Sequence, residues 1–471
     1  MKMHSCESGW FTRRAVALAL LLLALASLQA HAATAPAEVA EHVLANGLRI
    51  FVKPDRRAPV VVSMLWYRVG SVDEHSGATG LAHVLEHMMF KGTPKVPAGE
   101  YAKQISQAGG RFNAFTSRDY TGYFQTLQKD QLEVALRLEA DRMSNVILDK
   151  AEFEKEIKVV MEERRWRYDD QPRSLTYERL MAVALTAHPY RNPIIGWMSD
   201  LEGLTIEDVR AFHERWYAPN NAILVVVGDV EPKQVFALAQ QEFGAARAKP
   251  VPVTRPQQDP PQMGLRRLVV KAPAEQPYVL MAYRAPGLRD PAKDREPYAL
   301  EMLAYVLDGN EAARLNNTLV RQEKLAASAN ASYSGVSRGP GLFYLSGVPV
   351  SGKTAADLEA GLKREVLKVA TDGVTEEELK RAKAQIIASQ VYRRDSMMAQ
   401  AREIGSLEAI GLSYKTIDII IERLRAVTAA EIQEVARRYF GDESLTVAYL
   451  DPQPLSGKKP ARPPPGALHG P

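Results

Sequence analysis

Cysteine is all but absent: in 471 residues the only one is Cys6, and it precedes the apolar run Ala15 to Leu28. Arg13 and Arg14 stand before that run, and Ala30 to Ala32 read "AHA" after it, the pattern of a secretory signal cut after Ala32. The run is shorter than the roughly 20 residues a spanning helix needs. Residues 1–32 are therefore expected to direct export across the inner membrane to the periplasm, with no membrane insertion once they are removed. The thiol leaves with the signal. That excludes disulfides and thiolate ligation from the mature chain, so any zinc site must be built from histidine and carboxylate. Net charge is also scarce, +4 for the whole chain and about +2 after the signal, which gives no ground for nucleic acid as a partner.

What remains, 46% hydrophobic and 25% charged, has the composition of a globular chain large enough for two domains. "NGLRIFVKPDRRAPVVVSMLWYRVGS" reads as two strands around a turn at Pro54 to Arg57. Helical periodicity covers 78–92, 96–109, 129–147, 151–168, 174–187 and 205–217, residues 111–127 are strand-like, and "NAILVVVGDV" at 221–230 is a buried strand. The stretch 248–263, "AKPVPVTRPQQDPPQM", has no apolar period and marks an extended linker. The chain also repeats itself. "TIEDVRAFHERWY" from Thr205 and "TAAEIQEVARRYF" from Thr428 align at an offset of 223 residues, and the strands Leu224–Val227 and Val447–Leu450 keep that offset. The expected architecture is α+β: two tandem related domains, each a mainly antiparallel sheet with helices packed on it, over 33–247 and 264–452. A proline-rich disordered tail is expected over 453–471.

Only the first copy contains "HVLEH". On a helix His83 and His87, at i and i+4, project from one face one turn apart, where two imidazoles can grip one ion. Glu86 lies beside them, placed to take a proton from a water at the metal. With nine histidines in the chain, a chance HxxEH match is on the order of one in a hundred such sequences. Zinc needs a third protein ligand, and the helix "AEFEKEIKVVMEERRWR" supplies Glu152, Glu154, Glu156, Glu162 and Glu163 as candidates. Glu162 and Glu163 point about 100° apart around that helix, and periodicity alone does not choose between them. His188 and His213 are read as packing or surface residues.

"GLAHVLEHMMFKGT", "GGRFNAFTSRDYTGYF", "EFEKEIKVVMEERRWR", "HPYRNPIIGW" and "WYAPNNAILVVVGDV" together resemble the pitrilysin and insulinase family of zinc peptidases, over nearly all of the mature chain. The resemblance implies one zinc per chain on His83, His87 and Glu163, with 75 residues between His87 and Glu163, and Glu86 as the general base. It implies that Glu156 orients a ligating imidazole. It also implies that Asn113, Ala114, Phe115 and Thr116 form a sheet edge to which a peptide substrate adds as a strand, and that the chain is half of a clamshell. Arg321 matches an arginine that faces the zinc in active members, but the tyrosine seven residues on is Ser328 here, and Tyr333 is out of register. The expectation is therefore a zinc-bearing endopeptidase subunit with a homologous partner that lacks zinc ligands and supplies the arginine and tyrosine. The alternative is an inactive structural or processing subunit of a larger complex.

Overall fold

The computed structural model describes residues 38–253 and 257–455. The expected signal over 1–32 lies outside these residues, as do the tail beyond residue 455 and part of the linker. Among the described residues there are two sheets. The first has six strands, β1 (Ala40–Val43), β2 (Arg49–Pro54), β3 (Val60–Tyr67), β4 (Arg111–Thr116), β5 (Thr121–Gln128) and β6 (Ala222–Gly228), in the order β1-β2-β6-β3-β5-β4. The second has five, β7 (Arg266–Pro273), β8 (Tyr278–Ala285), β9 (Ala326–Ser334), β10 (Gly341–Pro349) and β11 (Leu445–Gln453), in the order β7-β11-β8-β10-β9.

Two expectations about strands change in detail. β2 and β3 flank the expected turn but are not neighbours, because β6 lies between them, parallel to β2 and antiparallel to β3. All seven residues of β6 are buried, as suits a run of Ile, Leu and Val covered on both faces. Residues 111–127 form a hairpin rather than one strand. Ser117 turns it, its hydroxyl accepting the N–H groups of Asp119 and Tyr120, both at 3.1 Å. Each sheet is antiparallel apart from one parallel pair, β2 with β6 and β7 with β11. The tail expectation is also trimmed, since β11 extends through Gln453.

Laid side by side, the sheets have one topology: β2, β6, β3, β5 and β4 correspond in order to β7, β11, β8, β10 and β9. The repeated helices Ile206–Trp216 and Ala429–Tyr439 both start in a capping box, Thr205 with Asp208 and Thr428 with Glu431. Each half lends the other a helix. Pro172–Ala184 packs on the second sheet, where Leu180, Met181 and Ala184 meet Leu280, Ala282, Leu342 and Ala448. Met397–Ala409 packs in turn on β3 and β6 of the first. The segment between the sheets is pinned as well. Asp259 accepts the N–H groups of Ala187 (2.6 Å) and His188 (2.9 Å), and Gln262 donates to the Leu445 carbonyl at 2.7 Å.

The exchanged helix approaches the first sheet closely enough that a Cβ on Gly405 would lie 2.1 Å from Trp66 Nε1. Gly405→Val should therefore destabilise the protein by about 1–3 kcal/mol through overpacking. Urea denaturation followed by tryptophan fluorescence would register this as a lower midpoint, and an unchanged midpoint would contradict the packing described.

Candidate metal centre

The helix Leu81–Met88 carries His83, Glu86 and His87, and every one of its residues is buried. Gly80 opens it with φ of 91°, a conformation that favours glycine. A side chain there would also strike the Ile195 carbonyl, as one on Gly196 would strike that of Thr79. Through this close approach "NPIIGW" is laid along the helix start, where Trp197 N–H donates to Thr79 Oγ1 at 2.9 Å and Thr79 Oγ1 to Asp200 at 2.7 Å. The first turn is capped by Glu74, whose carboxylate accepts the N–H groups of Gly80 (2.9 Å) and Ala82 (2.8 Å). Sequence reasoning passed over Glu74, which lies six residues before the N-cap Gly80 and belongs to no local capping pattern.

The third component arrives on the helix Lys150–Arg164, capped by Asp149. Its apolar face, Phe153, Ile157 and Val160, is buried against the first core, which turns Glu163 inward. Glu163 is 0% exposed, and its Oε2 lies 3.4 Å from His87 Nε2 and 3.8 Å from His83 Nε2. Glu162 points out instead, half-exposed and paired with Arg165 at 3.0 Å. His83, His87 and Glu163 each offer a ligand atom, all within 4.8 Å of one another, the one such group among the described residues.

These residues fit a zinc ion. A tetrahedral site with bonds of about 2.0–2.1 Å separates its ligand atoms by roughly 3.3 Å, close to the two distances seen here. Glu163 Oε2 is buried with no hydrogen-bond partner among the described residues, a costly arrangement unless a cation completes it. Burial alone would raise the Glu163 carboxyl, but His87, His83 and Arg167 hold it at about 2, so it is ionised. Arg167, 2.7 Å from Glu163 Oε1, was legible in principle as an i+4 partner.

Glu156 Oε1 lies 2.9 Å from His87 Nδ1, which leaves Nε2 facing His83 and Glu163. Lys91 pairs with the other Glu156 oxygen. Against the lowering effect of burial, Glu156 and Glu163 raise the His87 imidazole to about 9, so this pocket attracts positive charge.

Glu86 is 1% exposed, and burial pushes its carboxyl up to about 7. Thr116 Oγ1 donates to Glu86 Oε2 at 2.5 Å, while Oε1 has no hydrogen-bond partner among the described residues. Thr116 ends β4, the edge strand of the first sheet, so the open edge Asn113–Thr116 runs up to the carboxylate. Ala114 is buried, Asn113 Oδ1 accepts the Ala114 N–H at 2.9 Å, and Phe115 packs edge-on to Trp66.

Arg321 is not brought to this cluster. It lies in the helical turn Asn316–Gln322 of the second half, half-exposed and paired with Glu311 at 2.7 Å. Ser328 sits on β9, and the Tyr333 hydroxyl is engaged by the Pro286 carbonyl. His188 and His213 are packing residues, both lowered to about 4, first by burial.

The insulinase model, peptidase family M16, matches residues 49–197, and the model for the peptidase M16 inactive domain matches 203–386. The zinc protease PqqE of Helicobacter pylori is 30% identical over 454 residues, which cover 93% of this chain and 99% of that protein. The chain belongs to the insulinase family, peptidase family M16. The crystal structure of a protease from Helicobacter pylori matches with a TM-score of 0.83 and 29% identity, covering 88% of this chain and 100% of that one. The periplasmic protease PqqL from Escherichia coli shares the fold at a TM-score of 0.76 and 20% identity, with 90% of this chain covering 50% of that one. All of the candidate ligands lie within the part matched by the insulinase model.

Replacing the residue that orients His87 separates support from ligation. Glu156→Gln should weaken zinc binding by about 10–100-fold, whereas His87→Ala should abolish stoichiometric zinc. Competition against a chromophoric chelator measures both, and unaltered affinity in the Glu156 variant would remove its orienting role.

Proposed function

We propose that this chain is a zinc-dependent endopeptidase that hydrolyses peptides or unfolded segments in a chamber completed by a second, related half. The observation that carries this reading is Glu86, buried beside three converging ligand side chains and fixed by Thr116 at the end of an open sheet edge. Zinc, held by His83, His87 and Glu163, would supply a Lewis acid that polarises the scissile carbonyl and acidifies water.

The chain's own residues do the rest. Main-chain groups of β4 pair with an extended peptide, a mode of recognition tolerant of sequence. Thr116 holds one oxygen of Glu86, leaving the other to take the proton of the attacking water. The same carboxyl then delivers a proton to the leaving amine nitrogen. Proton transfer through a buried carboxyl is favoured by a pKa near the working pH.

Arg321 paired on the surface, serine at position 328 and Tyr333 bound to a carbonyl favour a partner subunit. That partner would be a related chain without the zinc ligands that supplies an arginine and a tyrosine. An inactive structural or processing role is the competing reading, and the retained base and ligand set weigh against it. Export to the periplasm is part of this proposal: the leader-like start supports it. Among the described residues no helix is long and apolar enough to cross a membrane.

Cleavage of quenched fluorescent peptides by the zinc-loaded chain, with Glu86→Gln as comparison, tests the reading. The variant should keep its zinc and lose about 10²–10⁴ in kcat/KM. Equal rates would refute the role of Glu86. A folded, zinc-loaded wild-type chain that cleaves nothing alone, but does so with a related partner added, would assign the missing groups to that partner. No cleavage in either case would favour the inactive reading.

A further inference from the structure

Two residues beyond Thr116, the β4–β5 turn carries Arg118, whose guanidinium has no acidic partner among the described residues. Its backbone is held firmly. Val72 N–H donates to the Arg118 carbonyl at 2.9 Å, and that carbonyl lies so near Gly70 that a Cβ there would come within 2.6 Å. The side chain reaches between aromatic rings, with Cζ 5.2 Å from the Tyr190 ring centre and 5.9 Å from that of Tyr177. One nitrogen donates to the Tyr177 hydroxyl at 3.1 Å, while Nε is buried with no partner among the described residues. Among the described residues no carboxylate forms an ion pair with Arg118.

An arginine keeps its charge at any physiological pH and has five donors to satisfy. Half-buried beside hydroxyls and ring faces, with no carboxylate paired to it among the described residues, the guanidinium keeps donors for an anion. The adjoining cavity, about 200 Å³, is lined by Arg118 together with Ser334, Ser337 and Tyr344 of the second half. Asp119 also lines it, but its charge is engaged elsewhere: Tyr190 donates to one oxygen, and the Arg338 N–H to the other at 3.1 Å. A peptide strand laid along β4 would carry its side chains past this cavity within about 7 Å of Thr116, two residues at strand spacing.

We infer that Arg118 and this cavity form a carboxylate-binding subsite, so that the enzyme favours peptides with an acidic side chain or a free C-terminus about two residues from the cut. The inference rests on the peptidase reading above and adds the chemistry of the preferred substrate. Arg118 acts on selectivity, outside the proton-transfer steps assigned to Glu86.

Two sets of quenched peptides test it. In one, glutamate or glutamine occupies each of three positions on either side of the cut; in the other, the chain ends at those positions as a free acid or an amide. One position should favour the carboxylate by about tenfold in kcat/KM for the zinc-loaded protein. Arg118→Gln should bring that ratio close to one, and Arg118→Lys should keep most of it. A merely structural arginine would depress both members of each pair and leave the ratio intact. Ratios near one throughout the wild-type scan, or a preference that survives Arg118→Gln, would overturn the subsite. The wild-type scan decides even if a variant fails to fold. Binding of the same peptides to zinc-loaded Glu86→Gln, read by fluorescence anisotropy, needs no turnover. Carboxylate preference in binding without cleavage by the wild type would sink the peptidase reading and keep the subsite, whereas cleavage without preference would do the reverse.

Discussion

A buried carboxylate facing two imidazoles is the contact on which the first half depends. Glu163 comes from a helix far along the chain from His83 and His87, yet its Oε2 lies within 3.8 Å of both Nε2 atoms. An ionised group with no exposure can be held there only if the surroundings compensate its charge. The neighbours are arranged to do so. Arg167 pairs with Glu163, Glu156 steadies His87 with Lys91 behind it, and Glu74 caps the helix that carries both histidines. The glycine pair at 80 and 196 serves the same end by letting the chain pass close against the helix start.

The second half shows what this machinery adds to a shared scaffold. Its sheet has the strand order of the first, and its last helix begins in the same threonine-led capping box, yet it presents no comparable ligand group among the described residues. What it contributes is packing and closure. The exchange of helices between the sheets fastens each half to the other by apolar contacts that neither could bury alone. Strands β9 and β10 bring their residues to the turn after β4, where the cavity at Arg118 draws its wall from both halves.

Legibility in the sequence followed the range of the interaction. The metal helix could be read because i and i+4 histidines lie on one face by geometry alone, and the capped helix Ile206–Trp216 because its threonine signal is local. The hairpin at 111–128 reads as one strand in the sequence because a Ser-Arg-Asp-Tyr turn has neither glycine nor proline to punctuate it. The pairing of β6 between β2 and β3 had no local signal at all, since it joins residues some 170 positions apart.

Sequence alone determined the ligand chemistry. Cys6, the one cysteine of the sequence, lies before the apolar run and outside the described residues, and the HxxEH spacing put two histidines and a carboxylate on one helix turn. Tertiary structure decided which carboxylate joins them. Glu162 and Glu163 are adjacent and chemically equal, and only the docking of Phe153, Ile157 and Val160 into the core turns one toward the histidines and the other toward water. It likewise decided that Thr116 grips Glu86 and that Arg118 stands without an acid among the described residues. Both depend on side chains that meet through folding of the whole sheet, and no residue spacing encodes that.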